Sequence, residues 1–213
     1  DALATYGRCL VVGRIAGEKA LGVDPTLPAR LLARPDVDYV LVEADGSRMR
    51  PVKAPATHEP VIPLGTTLLV PMAGMDALEG LIEEVAHRPE IVKYELGILN
   101  EAGSNDHPFV VGGRLTPAGL ARVIGNPRGG LKGAPEGVRI IPFLNKADTA
   151  SRLTAARETA GRLLGVAGVQ RVVVGVLHSD QPAREVWRRV AAIVPAAGES
   201  RRMGRNKLLL PWG

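Results

Sequence analysis

Short runs of Val, Ile and Leu, several of them apolar on successive residues, recur along the chain between stretches of helical periodicity, and this alternation narrows the fold most. A half-exposed strand alternates apolar and polar residues. A strand apolar at every position is covered on both faces, the state of parallel strands joined by crossover helices. The runs are Cys9 to Val12, Tyr39 to Glu43, Thr67 to Val70, Arg139 to Leu144, Arg171 to Leu177 and Ala191 to Val194. Helical patterns fall at Asp76 to His87, with Asp76 as N-cap and Glu79 at the capping-box position, and at Thr116 to Ile124, where Thr116-Pro117 reads as cap plus first-turn proline. Two more run from Thr149 to Leu164 and from Pro182 to Arg189. The expected class is α/β with a three-layer parallel sheet. The 213 residues suffice for one such domain, or for one plus the start of another.

With 46% hydrophobic and 23% charged residues but only 3% aromatic, the core has to be built from Val, Leu, Ile and Ala. The single cysteine, Cys9, allows neither an internal disulfide nor a cysteine cage for a metal, which fits a reducing compartment, and a cytoplasmic location is expected. No apolar run reaches the length of a membrane span, so no membrane partner is expected. The net charge of +5 invites a polyanion, yet residues 1–149 hold 16 basic against 18 acidic side chains and residues 150–213 hold 11 against 4. The excess is local. With two Phe, three Tyr and two Trp, stacking platforms for a nucleic acid are scarce, and none is expected as a partner.

The sharpest motif is Asn145-Lys146-Ala147-Asp148 at the end of the run Ile140 to Leu144. In an Asn-Lys-x-Asp nucleotide site the Asp carboxylate accepts two hydrogen bonds from the N1 and N2 edge of guanine, the Lys stem lies along the purine face, and the Asn fixes the loop or reaches the base. Placement at a strand end agrees with ligand binding beyond the carboxyl ends of strands in open α/β sheets. The same residues also read as a polar strand-to-helix turn capped by Asp148 or Thr149.

A second run, Asp38 to Glu43, leads into Ala44-Asp45-Gly46-Ser47. Acidic residues after an apolar strand are where phosphate-handling enzymes hold Mg²⁺, so Glu43 and Asp45 are the candidate metal ligands; an Asp-Gly turn closing a strand reads equally well. The proline-rich stretch 48–63 stiffens a loop that carries Lys53, His58 and Glu59 toward the same side, or else serves as a rigid connector. A phosphate cradle of the form Gly-x-x-x-x-Gly-Lys-Ser/Thr is missing from the sequence; either it lies upstream of Asp1, which is the expectation, or there is no such site.

Near the other end, Ala196-Ala197-Gly198-Glu199-Ser200-Arg201-Arg202-Met203-Gly204-Arg205-Asn206-Lys207 follows the run Ala191 to Val194. Its glycines let main-chain N–H groups wrap a triphosphate that Arg202 and Lys207 neutralise. Ala197, Gly198, Ser200, Arg202, Gly204 and Lys207 are the candidate contacts.

Several longer strings carry a family resemblance: Val42 to Arg48, Lys53-Ala54-Pro55 with His58 to Pro63, His87-Arg88-Pro89-Glu90, Gly130-Leu131-Lys132-Gly133 and Pro142 to Asp148. Over residues 1–189 the chain resembles the YqeC-type selenium-dependent hydroxylase accessory proteins. The resemblance implies a P-loop NTPase-like domain binding GTP or ATP with Mg²⁺, with Lys53, His58, Lys132 and Gly133 lining the site beside Asn145, Lys146 and Asp148. It further implies a role in maturing selenium-dependent molybdenum hydroxylases, with a hydroxylase or a selenium-delivery protein as partner. Residues 190–213 resemble the opening strand and loop of the Rossmann-like MobA-type molybdenum cofactor cytidylyltransferases, except that Pro195 replaces the usual Leu. A complete second domain of that kind would use CTP and molybdopterin. A non-enzymatic module that grips a protein partner is the alternative.

Overall fold

The computed structural model describes residues 2–95, 97 and 106–191. The expected second-domain loop, with Ala197, Gly198, Ser200, Arg202, Gly204 and Lys207, lies outside the described residues, as does most of the run Ala191 to Val194. The site is built from β1 (Val52–Lys53), β2 (Leu68–Leu69), β3 (Met72–Gly74), β4 (Ala86–His87), α1 (Pro117–Ile124), β5 (Arg139–Ile140), β6 (Phe143–Asn145), α2 (Ala150–Leu163), β7 (Arg171–Gly175) and β8 (Ala183–Arg188).

A four-stranded sheet runs in the order β8-β7-β6-β3, with β3, β6 and β7 parallel and β8 antiparallel at the edge. β2 pairs in parallel with β5, and β1 with β4. The α/β class with parallel strands therefore holds. The expected single strand from Arg139 to Leu144 is divided at Pro142, and its partner run is divided at Pro71, because proline contributes no N–H to the ladder. The parallel course nonetheless continues through the breaks, with Ile141 N donating to Leu69 O at 3.0 Å and Phe143 N to Pro71 O at 2.9 Å.

Both long helices begin where their caps place them. Thr116 Oγ1 accepts from Gly119 N at 3.1 Å with Pro117 in the first turn, and Thr149 Oγ1 accepts from Arg152 N at 3.2 Å. Leu120 and Val123 of α1 and Ala156, Ala160 and Leu163 of α2 are buried with Leu144 of β6 and Val172 and Val174 of β7 in one core. Burying each such Leu or Val contributes about 1.5–3 kcal/mol. The buried Thr159 is satisfied within its own helix, its hydroxyl donating to Ala155 O at 2.9 Å.

The register also aligns Met72, Phe143, Val173 and Val186 in one row across the four strands, on the face away from Leu144, Val172 and Val174. That row is open: Met72 is 52% and Val186 58% exposed. Over this sheet the described residues thus build two layers where three were expected.

Four further expectations are corrected. Pro182 to Arg189 forms an edge strand, not a helix: Glu185 and Trp187 face the core side while Arg184, Val186 and Arg188 are exposed, a period of two that pairing with β7 enforces. Asp76 to His87 is a 3₁₀ turn (Met75–Leu78), a single α-turn (Ile82–Val85) and then β4, because the side chains assigned to its cap serve elsewhere. Asp76 is held by Lys146 and Glu79 by Arg152. Cys9 to Val12 and Tyr39 to Glu43 adopt no strand, and Leu10 and Leu41 are more than nine-tenths exposed. An apolar run becomes a buried strand only where another strand offers its backbone a partner.

Candidate functional site

Register places Asn145 opposite Gly74, and Ala147 N donates to Gly175 O at 3.1 Å, so the carboxyl ends of β3, β6 and β7 meet at one edge. Asn145 fastens that edge: its Oδ1 accepts from Lys146 N at 2.8 Å and from Leu177 N at 3.0 Å. Lys146 follows in the left-handed region at φ +60°, a conformation that a β-carbon disfavours, and its Nζ lies 2.6 Å from Asp76 Oδ2. The other Asp76 oxygen, Oδ1, is buried without a hydrogen-bond partner among the described residues.

Asp148 is 46% exposed and accepts from Arg152 Nη1 at 2.8 Å. Arg152 also forms a two-pronged pair with Glu79, Nε to Oε1 at 2.7 Å and Nη2 to Oε2 at 2.6 Å. These hydrogen bonds hold the carboxyls of Asp148 and Glu79 below the usual range, so both are firmly anionic at neutral pH. Glycine is required at position 74 for lack of space: a β-carbon there would meet Pro51 Cβ at 3.1 Å and Lys146 Cδ at 3.3 Å, and would press against Asp76 Oδ1. Asp76, Glu79 and Arg152 were not singled out for this site from the sequence. Gly74-Met75-Asp76 directly after an apolar strand was the available signal.

A second cluster lies along β1 and the loop after it. Lys53 Nζ, 8% exposed at its side chain, reaches Asp45 Oδ2 at 3.0 Å and Glu59 Oε2 at 2.7 Å, and donates to Gly46 O at 2.8 Å. Arg88, also left-handed at φ +65°, adds a 2.7 Å pair to the same Glu59 oxygen. Burial acts to raise the Glu59 pKa, but the hydrogen bonds from Lys53 and Arg88 outweigh it and bring the group to about 2. His58 is 76% exposed at its side chain, with Nε2 3.9 Å from Glu59 Oε1. Lys132 donates through Nζ to Ala56 O and, at 3.2 Å, to Thr57 O, and Gly133 follows at φ +72°. Lys53, His58 and Lys132 therefore gather around one loop. They connect to Asn145, Lys146 and Asp148 through the backbone, Gly74 N donating to Pro51 O at 2.8 Å.

Neither Glu43 nor Asp45 ends a strand, which corrects the position expected for them. Asp45 is engaged by the Lys53 ammonium, so a cation at Asp45 has to displace that group. Among the described residues no three His, Cys, Asp or Glu side chains converge on a metal position. One or two carboxylates with phosphate oxygens and water suffice for Mg²⁺, and Glu43 with Asp45 fits that donor set in number and chemistry.

Among the described residues no helix is long and apolar enough to cross a membrane. Residues 2–90 match the family described as YqeC protein. The chain is also similar to the "Uncharacterized protein YqeC" of Escherichia coli (strain K12), at 31% identity over 129 residues covering 60% of this chain and 46% of that protein. It thus spans under half the length of the curated relative it matches. No solved structure matches the chain.

Proposed function

We propose that this chain, similar over residues 2–90 to the family described as YqeC protein, is an accessory protein of that type that binds a purine nucleotide at the carboxyl edge of its parallel strands. The observation that carries this reading is the Asn145-Lys146-Ala147-Asp148 turn, fastened by Asn145 between β6 and Leu177 with the Asp148 carboxylate half exposed and ionised. In this reading Asp148 accepts the N1–H and N2–H edge of guanine, since each carboxylate oxygen accepts more than one hydrogen bond and Arg152 uses one position on Oδ1. Lys146 places its alkyl stem along the purine face while Asp76 neutralises its ammonium. Glu43 and Asp45 hold the Mg²⁺ that accompanies the phosphates, and Lys53, His58, Lys132 and Gly133 border the phosphate side. The cation, when bound, supplies charge neutralisation at the phosphate tail.

The biological task proposed for this binding is the maturation of selenium-dependent molybdenum hydroxylases, with nucleotide occupancy controlling contact with the hydroxylase or a selenium-delivery partner. Calorimetric titration with MgGTP and MgATP tests the first step. Saturable MgGTP binding that weakens in Asp148→Ala is the expected result. Equal affinity for both nucleotides removes the guanine assignment, and no heat from either removes the reading. Partner capture that survives both Asp148→Ala and Asp45→Ala favours a binding module independent of nucleotide.

A further inference from the structure

We infer that the cleft beside the paired ends of β7 and β8, bounded by the turn 166–169 and by Arg171, Arg188 and Arg189, is a binding site for a diphosphate-class anion. The cleft measures about 490 Å³ and is lined by Gln170, Arg171, Arg188, Arg189 and the turn 166–169. That volume falls within the range of small-ligand pockets.

Three observations converge there. Arg171 and Arg188 stand directly opposite each other in the antiparallel register, on one face of the sheet. Like charges so placed destabilise a strand pair unless something lies between them. Arg88, Arg152, Arg157 and Arg162 each rest on a carboxylate, whereas Arg171, Arg188 and Arg189 form no ion pair among the described residues. Among the described residues no acidic side chain lines the cleft. Three cations facing one concavity without counter-charge are matched by a multiply charged anion, and the planar guanidinium fork pairs with phosphoryl oxygens two at a time. The Gln170 amide adds a neutral donor.

The site is separate from the one proposed for the nucleotide base. Arg171 and Gly175 are four residues apart along β7, about 13 Å at about 3.3 Å per residue, at opposite ends of the sheet. Free pyrophosphate and the tail of a nucleoside diphosphate share the required chemistry.

The test is calorimetry and thermal melting of the protein with pyrophosphate, with ADP, and with NaCl at matched ionic strength, for the unaltered protein, Arg171→Gln/Arg188→Gln and Asp148→Ala. Saturable pyrophosphate binding is expected in the unaltered protein and in Asp148→Ala, weakened by about tenfold or more in the double arginine variant through loss of charge-assisted contacts. Without anion the double variant should melt at the same temperature or higher, because the facing charges are gone. Binding of ADP as tight as that of pyrophosphate identifies the nucleotide tail as the ligand, and weaker binding identifies the free anion; both support the site. The inference is overturned if the double variant binds pyrophosphate undiminished, if NaCl reproduces the shift in melting, or if the double variant melts lower without anion. Loss of pyrophosphate binding in Asp148→Ala would place the anion at the other edge and overturn it too.

Discussion

Glu59→Gln removes the carboxylate on which Lys53 and Arg88 both converge, and the effect on folding can be worked out from the geometry. The Glu59 pKa falls from an ordinary 4.5 to about 2 in the folded protein. At about 1.4 kcal/mol per pKa unit that is about 3 kcal/mol of stability at neutral pH, an upper figure because the side chain is 21% exposed. For a carboxylate with a depressed folded pKa the contribution is fully present above the unfolded value and is lost as pH falls toward the folded one. The stability gap between the unaltered protein and Glu59→Gln should therefore be about 2–3 kcal/mol at pH 7, begin to shrink near pH 4.5 and fall to under half by pH 3. Urea unfolding of both proteins across this range measures it. A gap that stays constant from pH 7 to pH 3, or that never exceeds about 0.5 kcal/mol, the level of an ordinary surface substitution, would show that the cluster does not hold the loop.

Gly74→Ala should cost roughly 1–3 kcal/mol through overpacking against Pro51 and Lys146, and should weaken MgGTP binding by displacing Asp76 and Lys146; denaturation and titration of one sample read both effects. Thr149→Ala deletes the α2 cap and should cost about 1 kcal/mol, with a larger loss of base affinity than a distant cap variant such as Thr116→Ala, because Thr149 adjoins Asp148. Arg152→Gln frees Glu79 and Asp148 together, so the Asp148 carboxyl should titrate at higher pH by NMR, while an unmoved titration would remove Arg152 as its anchor.

Elements whose signals are local were legible in the sequence. The two helices announce themselves through Thr116-Pro117 and Thr149, and β7 through a run of three valines. Pro182 to Arg189 reads as helical because Ala183, Val186 and Trp187 fall at i, i+3 and i+4, and only the neighbouring strand decides against that period. Cys9 to Val12 and Tyr39 to Glu43 carry strand composition without a pairing partner among the described residues. At the site, the turn around Asn145 was readable because its residues are contiguous. Asp76 and Glu79 were read as caps because their cations, Lys146 and Arg152, lie 70 and 73 positions further along the chain. The glycine that permits the Asp76 contact looks like any other until the space around it is known.

The central claim is that the Asp148 carboxylate at the carboxyl edge of β6 recognises a guanine base. Titration of MgGTP into the unaltered protein and into Asp148→Asn, with xanthosine triphosphate as the second ligand, tests it most directly. An Asn side chain donates where the Asp accepts, so the preference should invert, with MgGTP favoured by the unaltered protein and the xanthine nucleotide favoured by the variant. The same nucleotide preference in both proteins, or binding of neither nucleotide to the unaltered protein, would contradict it.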